Sequence, residues 1–116
     1  MNKKPLRALL LAAGYGTRLR PLTLNYPKCL INVHKKPILE DWLVMLESID
    51  AEKILVNTHY LHEKVDDFLK NQRFRKPELK STFEENLLGT AGTLIKNHEF
   101  FLHSTTIMIH VDNFTT

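Results

Sequence analysis

The fold class of this chain is indicated by the run Arg7-Ala8-Leu9-Leu10-Leu11-Ala12-Ala13, which is followed by Gly14. A continuous apolar run of strand length predicts a strand that is buried on both of its faces. Strands of that kind are typical of parallel sheets that helices cover on both sides. We therefore expect the chain to open with a central strand of an α/β domain.

A long irregular segment is expected from Gly14 to Lys36, and the segments after it alternate between helical and strand patterns. Pro37 suits the first turn of a helix, and apolar residues then recur on one helical face as far as Ile49, with Trp42 and Met45 expected in the core. The further predicted elements are a strand over 53–57, a helix over 59–70, a weaker edge strand over 79–84, a short helix over 89–97 and a strand over 105–111. Because such alternation specifies a parallel sheet, the predicted fold class is α/β with about four strands.

The last predicted strand is expected to lie beside the first, and it ends only a few residues before Thr116. The sheet is therefore expected to be truncated, with an unpaired strand at its edge. An unpaired edge invites pairing with another chain. We expect a homo-oligomer that forms through this exposed sheet edge.

Length and composition restrict the class of protein. The chain has 116 residues, of which 43% are hydrophobic and 25% charged, the balance of a single globular domain. The single cysteine, Cys29, excludes an internal disulfide framework and a cysteine-rich zinc site. No apolar run approaches the ~20 residues of a membrane span, and the stretch after the basic N-terminus is too short for a signal peptide. We expect a cytoplasmic protein without a membrane partner.

The charges are unevenly distributed along the chain. Residues 1–36 hold eight basic side chains and no acidic one, whereas residues 37–116 hold eight basic and thirteen acidic side chains. A basic segment of this kind indicates an anionic partner. Charge alone leaves three interpretations open: a nucleic acid, a phosphorylated small molecule or a solvated basic surface.

The four glycines of the chain all follow predicted strands: Gly14, Gly16, Gly89 and Gly92. Open parallel sheets bind their ligands at the carboxyl ends of the strands, so we interpret these glycines as loop residues of a binding edge. The first pair precedes Arg18, and Lys28 follows ten residues later. An arginine fork, a lysine and backbone amides together suit a polyphosphate. The loop lacks the third glycine of a dinucleotide fingerprint and the lysine of a P-loop.

The first glycine pair belongs to a longer pattern. It comprises Leu11-Ala12-Ala13-Gly14-Tyr15-Gly16-Thr17-Arg18-Leu19-Arg20-Pro21-Leu22-Thr23, Tyr26-Pro27-Lys28-Cys29-Leu30, Lys36-Pro37-Ile38, Glu84-Glu85-Asn86-Leu87-Leu88-Gly89-Thr90-Ala91-Gly92 and His110-Val111-Asp112-Asn113. This set resembles the signature of the sugar-phosphate nucleotidylyltransferases, and within them the mannose-1-phosphate guanylyltransferase-like proteins. The resemblance covers about the first half of a family catalytic domain. It implies a Rossmann-like three-layer sheet and one nucleotide-binding domain over residues 1–116.

The resemblance also implies roles for individual residues. The implied nucleotide-binding residues are Leu11, Ala12, Ala13, Gly14, Tyr15, Gly16, Thr17, Glu84 and Gly89, with Glu85 as an alternative to Glu84. Arg18 would bind the β- and γ-phosphates, and Lys28 the α-phosphate or the sugar phosphate. Asp112 would bind Mg²⁺, which accepts one carboxylate together with phosphates and waters. The implied substrates are a nucleoside triphosphate, with GTP favoured, and a sugar 1-phosphate.

Three functions remain open at this point. The first is transfer of a nucleoside monophosphate to a sugar 1-phosphate, with release of pyrophosphate. The second is a non-catalytic nucleotide-binding or regulatory fragment, because the family takes its sugar-recognition residues and a second metal-binding aspartate from its later half. The third is a nucleic-acid-binding module, which the basic segment suggests. The stretch Arg73-Phe74-Arg75-Lys76 also interleaves an aromatic residue with charge, as nucleic-acid binders do, but we interpret it as a solvated loop. We consider nucleic acid the weakest of the three.

Several further residues have a functional and a structural interpretation. His59 and His62 stand three apart and could touch one metal ion, but no third ligand has a suitable spacing. His110 precedes Asp112 on the same predicted strand face, where Mg²⁺ would prefer oxygen. Cys29 could be a nucleophile, but no base accompanies it. We therefore expect the three histidines to be ordinary packed or surface side chains, and Cys29 to have no catalytic role.

Overall fold

The computed structural model describes residues 4–13, 27–33, 35–72, 74 and 77–111, without the side chains of Lys28 and Val33. Its strands are β1 (Leu6–Leu11), β2 (Asn32–Val33), β3 (Lys36–Pro37), β4 (Lys53–Thr58), β5 (Glu78–Phe83) and β6 (Thr105–His110). Its α-helices are α1 (Ile38–Ser48), α2 (His62–Lys70) and α3 (Gly89–Lys96). Two 3-10 helices cover Lys28–Leu30 and His98–Phe101.

Four strands form one parallel sheet in the order β5-β4-β1-β6. In this register Leu9 of β1 lies between Leu55 of β4 and Met108 of β6. The order confirms the predicted α/β class, the place of the last strand beside the first, and the edge position of β5. Because all four strands run the same way, their carboxyl ends meet at one edge.

The sheet is covered on both faces, as expected for a three-layer fold. Ala8 and Leu10 of β1 belong to one core cluster with Leu39, Leu43 and Leu46 of α1, and all five are fully buried. Burying one leucine side chain contributes about 1.5–3 kcal/mol, so this layer carries much of the stability. Side chains alternate along a strand, which places Arg7 and Leu9 on the other face.

Arg7 anchors the second face at the amino end of the sheet. Its Nε donates to Glu52 Oε1 at 2.8 Å and its Nη1 donates to the Phe100 carbonyl at 2.6 Å. The guanidinium carbon also lies 5.9 Å from the centre of the Phe100 ring, within cation–π range. One side chain therefore ties β1 to the turn before β4 and to the 3-10 helix His98–Phe101.

Three sequence expectations on helix α1 and its surroundings were wrong in detail. Pro37 is the N-cap residue of α1 and not its first helical residue. Met45 is 37% exposed and not in the core, because at 100° per residue it lies about 120° from the stripe centred on the buried leucines. The segment before α1, expected to be irregular, contains the two-residue antiparallel pair of β2 with β3.

Helix α2 begins at His62, three residues later than the pattern predicts. The cause is Leu61, whose φ of 54° and ψ of 39° place it in the left-handed region. A residue in this conformation cannot belong to a right-handed helix, whose residues have negative φ and ψ. Residues 59–61 therefore form a turn that leads from the end of β4 into α2.

Candidate functional site

The candidate site lies at the carboxyl edge of the sheet. β1 ends at Leu11, β4 at Thr58, β5 at Phe83 and β6 at His110. The segments that continue from these ends contain Ala12 and Ala13, Glu84 and Val111, so the predicted nucleotide-binding residues of two distant sequence blocks share one edge. This is the edge where open α/β sheets bind ligands.

The backbone after β1 is held by the side chain of Asn57. Its Oδ1 accepts hydrogen bonds from the amides of Ala12 and Ala13, at 2.6 and 2.9 Å. The Leu11 carbonyl accepts from the amide of Val111 at 3.2 Å. The predicted nucleotide-binding backbone is thus fixed between β4 and β6, and two of its amides are already used inside the protein.

Asn57 itself was missed by the sequence analysis. It directly follows the apolar residues Ile54-Leu55-Val56 of a predicted strand and forms no motif with its neighbours. The only signal is that a polar residue occupies a position where the pattern predicts burial, and Asn57 is indeed 5% exposed. Buried polar groups require a partner, and in this case the partner lies in the candidate binding loop.

Glu84 is buried beneath the loop that joins β5 to α3. It is 1% exposed; its Oε2 accepts from Thr93 Oγ1 at 2.5 Å and its Oε1 accepts from the amide of Leu88 at 3.3 Å. The Glu84 amide in turn donates to the Thr58 carbonyl at 2.8 Å. Its carboxylate therefore holds the loop and the start of α3, while neighbouring Glu85 is exposed. The role of Glu84 at a base pocket stays a prediction.

The second glycine pair lies in α3, which confirms the short helix predicted over 89–97 and overturns the expectation that these glycines are loop residues. Gly89 is exposed, has a φ of 75° and begins α3, a conformation that favours glycine. Gly92 lies inside α3, and a Cβ there would come within 2.9 Å of the Leu88 Cβ. Gly92 is thus a close-approach residue of the helix, which explains a glycine in a helix interior.

Val111 fixes the last strand end next to β1. Besides the bond of its amide to the Leu11 carbonyl, its own carbonyl accepts from Trp42 Nε1 at 3.0 Å. Trp42, expected only in the core, is half-buried and joins α1 to this strand end. The residue that directly follows Val111 in the sequence is Asp112, the predicted metal ligand.

The predicted phosphate and metal residues fall largely outside the described part of the chain. Gly14, Tyr15, Gly16, Thr17, Arg18 and Asp112 lie outside it, as does the side chain of Lys28. The backbone of Lys28 stands between buried Pro27 and buried Cys29 in a 3-10 helix that packs against α1. The roles of these residues therefore stay predictions.

The structural interpretation of Cys29 agrees with its surroundings. The side chain is 2% exposed, and burial raises the pKa of its thiol to about 12. A thiol of this kind holds almost no thiolate near neutral pH, and the thiolate is the nucleophilic form. Cys29 belongs to the hydrophobic core cluster, in agreement with a structural role.

The histidines near the carboxyl edge make contacts within the protein. His59 Nδ1 lies 2.6 Å from the Glu84 carbonyl, and the ring of His62 lies 4.2 Å from that of Phe83. Among the described residues no group of three or more His, Cys, Asp or Glu side chains could hold a metal ion. In the basic stretch 73–76 only Phe74 is described, and it packs against the core.

The model of the nucleotidyl transferase family matches residues 7–115. The chain is 42% identical over 89 residues to the mannose-1-phosphate guanylyltransferase catalytic subunit beta of Drosophila melanogaster, covering 76% of this chain and 24% of that protein. It is 34% identical over 104 residues to the UTP–glucose-1-phosphate uridylyltransferase of a Synechocystis species, covering 82% of this chain and 27% of that protein. The chain therefore spans about a quarter of the length of these relatives.

The fold is shared with a solved enzyme structure. CTP:phosphocholine cytidylyltransferase from Streptococcus pneumoniae superposes with a TM-score of 0.74 at 29% identity, covering 93% of this chain and 45% of that chain. The names of these relatives refer to nucleotides of three different bases: guanine, uracil and cytosine.

Among the described residues, every helix is too short or too polar to cross a bilayer.

The glycine-loop pattern, the parallel sheet with its shared carboxyl edge and the family match over residues 7–115 agree with one another. On this evidence the chain belongs to the nucleotidyl transferase family, among the sugar-phosphate nucleotidylyltransferases.

Proposed function

We propose that residues 1–116 form the nucleotide-binding, N-terminal half of a sugar-1-phosphate nucleotidylyltransferase domain. The observation that carries this proposal is the convergence at one sheet edge of the backbone over 11–13, the loop over 84–89 and the strand end at Val111. Each of these segments adjoins residues to which the family resemblance assigns nucleotide or metal binding. Because the reactants are metabolites, we propose the cytoplasm as its location.

The proposed reaction joins two anions. An oxygen of the sugar 1-phosphate attacks the α-phosphorus of the nucleoside triphosphate, the new P–O bond forms, and the bond from the α-phosphorus to the β-phosphate oxygen breaks. Pyrophosphate leaves and a nucleoside-diphosphate sugar remains. Such chemistry depends on positioning and charge neutralisation more than on a covalent nucleophile.

Each cation of the proposed site has a distinct task. Arg18 binds the β- and γ-phosphates, which leave as pyrophosphate, because its guanidinium can bind two phosphate oxygens at once. We assign the α-phosphate or the sugar phosphate to Lys28, whose ammonium offsets the repulsion between the two reactants. The supporting observation is that buried Pro27 and Cys29 fix the backbone of Lys28 next to α1.

We propose Mg²⁺ as the metal cofactor and Asp112 as its protein ligand. The donor chemistry fits, because Mg²⁺ accepts one carboxylate and completes its shell with phosphate oxygens and waters. Mg²⁺, when bound, neutralises negative charge on the phosphates. The hydrogen bonds of Val111 to Leu11 and Trp42 fix the backbone that leads directly into Asp112.

We propose GTP as the preferred nucleotide, supported by the guanylyltransferase relatives. The test is isothermal titration of the chain with GTP, UTP, dTTP and ATP, each with Mg²⁺, for wild type and for Asp112→Asn. We expect GTP to bind most tightly, and we expect the Mg²⁺-dependent part of its affinity to fall in Asp112→Asn. If none of the four nucleotides binds at millimolar concentration, the proposed function is wrong.

The same sample separates the other candidate functions. Release of pyrophosphate from GTP and mannose 1-phosphate would show catalysis by this chain, whereas nucleotide binding without turnover favours the non-catalytic fragment. Salt-dependent binding of DNA or RNA would favour the nucleic-acid module instead.

We also propose that a second copy of the chain pairs along β6, which forms one edge of the sheet. The edge carries Met108, which is 45% exposed. An apolar strand at the edge of the sheet that the described residues form favours strand-to-strand association. Light scattering after gel filtration should give the mass of a dimer, and substitution of Met108 by lysine should shift it toward the monomer; a monomeric wild type would contradict this part of the proposal.

A further inference from the structure

We infer that Asn57 is a positioning residue for the nucleotide loop that follows β1. This inference rests on the proposed function. It concerns how the loop is held and not which groups touch the substrate. Its basis is the pair of hydrogen bonds that Asn57 Oδ1 accepts from Ala12 and Ala13.

Asn57 extends the sheet beyond the point where β1 stops pairing. Leu11 is the last residue of β1 and stands opposite Asn57 in the register with β4. Past Leu11 the backbone ladder ends, and the Asn57 side chain supplies the acceptor for the next two amides. Only the oxygen of a carboxamide accepts hydrogen bonds, so the two amides also fix which way the Asn57 side chain is turned.

The acceptor is rigid as well as correctly placed. Asn57 is 5% exposed, and its neighbours Val56 and Thr58 are 0% and 2% exposed. A side chain confined in this way has little rotamer freedom left to lose, so its two hydrogen bonds constrain the loop and not the strand. Two bonds to one fixed atom define both the position and the direction in which the chain leaves β1.

The bonds also decide which backbone groups remain for a ligand. A trans peptide plane holds its N–H and C=O in opposite directions. Because the Ala13 amide points to Asn57, the carbonyl of Ala12 points away from β4. The amides of Ala12 and Ala13 are used by Asn57, so amides that cradle phosphate must come from Gly14 onward. Asn57 thereby limits which backbone groups of Ala12 and Ala13 are left for a ligand.

The test combines nucleotide titration with amide hydrogen exchange of the full chain. In wild type we expect the amides of Ala12 and Ala13 to be protected without ligand and to change little when GTP and Mg²⁺ are added. In Asn57→Ala both amides lose their acceptor, and we expect fast exchange and roughly tenfold weaker GTP binding, the effect of a lost pair of hydrogen bonds. Asn57→Asp keeps an oxygen acceptor, so it should restore the protection.

Thr58→Val is the matched control. Thr58 is equally buried in the same strand, and its Oγ1 donates to the Thr82 carbonyl at 3.3 Å, away from Ala12 and Ala13. Its replacement should lower the free energy of unfolding and leave both the exchange of Ala12 and Ala13 and the GTP affinity within twofold of wild type. A comparable loss of GTP affinity in Thr58→Val would mean that general destabilisation, and not positioning, explains the effect.

The possible outcomes separate this inference from the proposed function. If wild type binds GTP and Asn57→Ala binds it equally well, the positioning role is wrong and the proposed function stands. If Asn57→Ala does not fold, the exchange measurement on wild type decides: new protection of the Ala12 and Ala13 amides on GTP binding would contradict the inference. If wild type binds no nucleotide, the proposed function itself fails, and the inference with it.

Discussion

Glu84→Ala is expected to lower the free energy of unfolding by about 3 kcal/mol, the scale for removing a buried charged hydrogen-bonding group. The carboxylate accepts from the Leu88 amide and from the Thr93 hydroxyl, and it is 1% exposed. Alanine removes both acceptors and leaves a cavity beneath the loop that leads into α3. Urea unfolding followed by circular dichroism would measure the loss.

Glu84→Gln is the matched control for this prediction. The glutamine oxygen can accept from the Leu88 amide, and its NH₂ group can donate to Thr93 Oγ1. The Thr93 hydroxyl proton is then free to bond the Gly89 carbonyl, which lies 2.9 Å away. The shape and both contacts survive, so we expect a cost below about 1 kcal/mol. If Glu84→Gln and Glu84→Ala destabilise equally, the negative charge matters and the hydrogen-bond geometry does not.

Arg18→Ala is expected to weaken GTP binding roughly tenfold to a hundredfold, the effect of removing a charge-assisted contact to phosphate. In the proposed site the guanidinium binds the phosphates that leave as pyrophosphate. The loss should therefore be large for GTP and small for GMP, which lacks those phosphates. Titration calorimetry with both nucleotides, each with Mg²⁺, would measure the difference.

Lys4→Ala is the control for the overall charge of the basic segment. Lys4 also lies within residues 1–36, but it is exposed and precedes β1 at the amino edge of the sheet, opposite the candidate site. We expect its removal to change GTP affinity by less than about twofold, because screening weakens the interaction of distant exposed charges. Equal losses in Lys4→Ala and Arg18→Ala would indicate a diffuse attraction of anions and no defined phosphate contact.

The fold could be predicted because its signals are local and repeated. The apolar run over 7–13 marks a central strand by composition alone, and the alternation of strand and helix patterns leaves few arrangements other than a parallel sheet. The edge position of β5 followed from its weaker apolar character, which the sheet order confirms. Each of these predictions depends on properties of residues within one segment.

The errors and omissions concern contacts between distant segments. Trp42 packs against the core as expected, but the bond from its Nε1 to the Val111 carbonyl, which connects residues 69 positions apart, was not predicted. The role of Asn57 becomes visible only through its hydrogen bonds to two amides, which lie 45 and 44 positions away in the sequence. Leu61 delays the start of α2 through its left-handed backbone conformation, for which leucine gives no sequence signal. Side-chain type predicts burial, whereas the identity of a hydrogen-bond partner is set by the finished sheet.

The Arg7 network lies at the amino edge, one sheet length away from the loops of the candidate site. Arg7, Glu52 and Phe100 hold the layers together there. Under the proposed function, maintenance of the scaffold and choice of substrate would therefore depend on different residues. A directed-evolution library for altered base preference can randomise the loops beyond β1 and β5 and leave this amino-edge network intact, so that most of its members still fold.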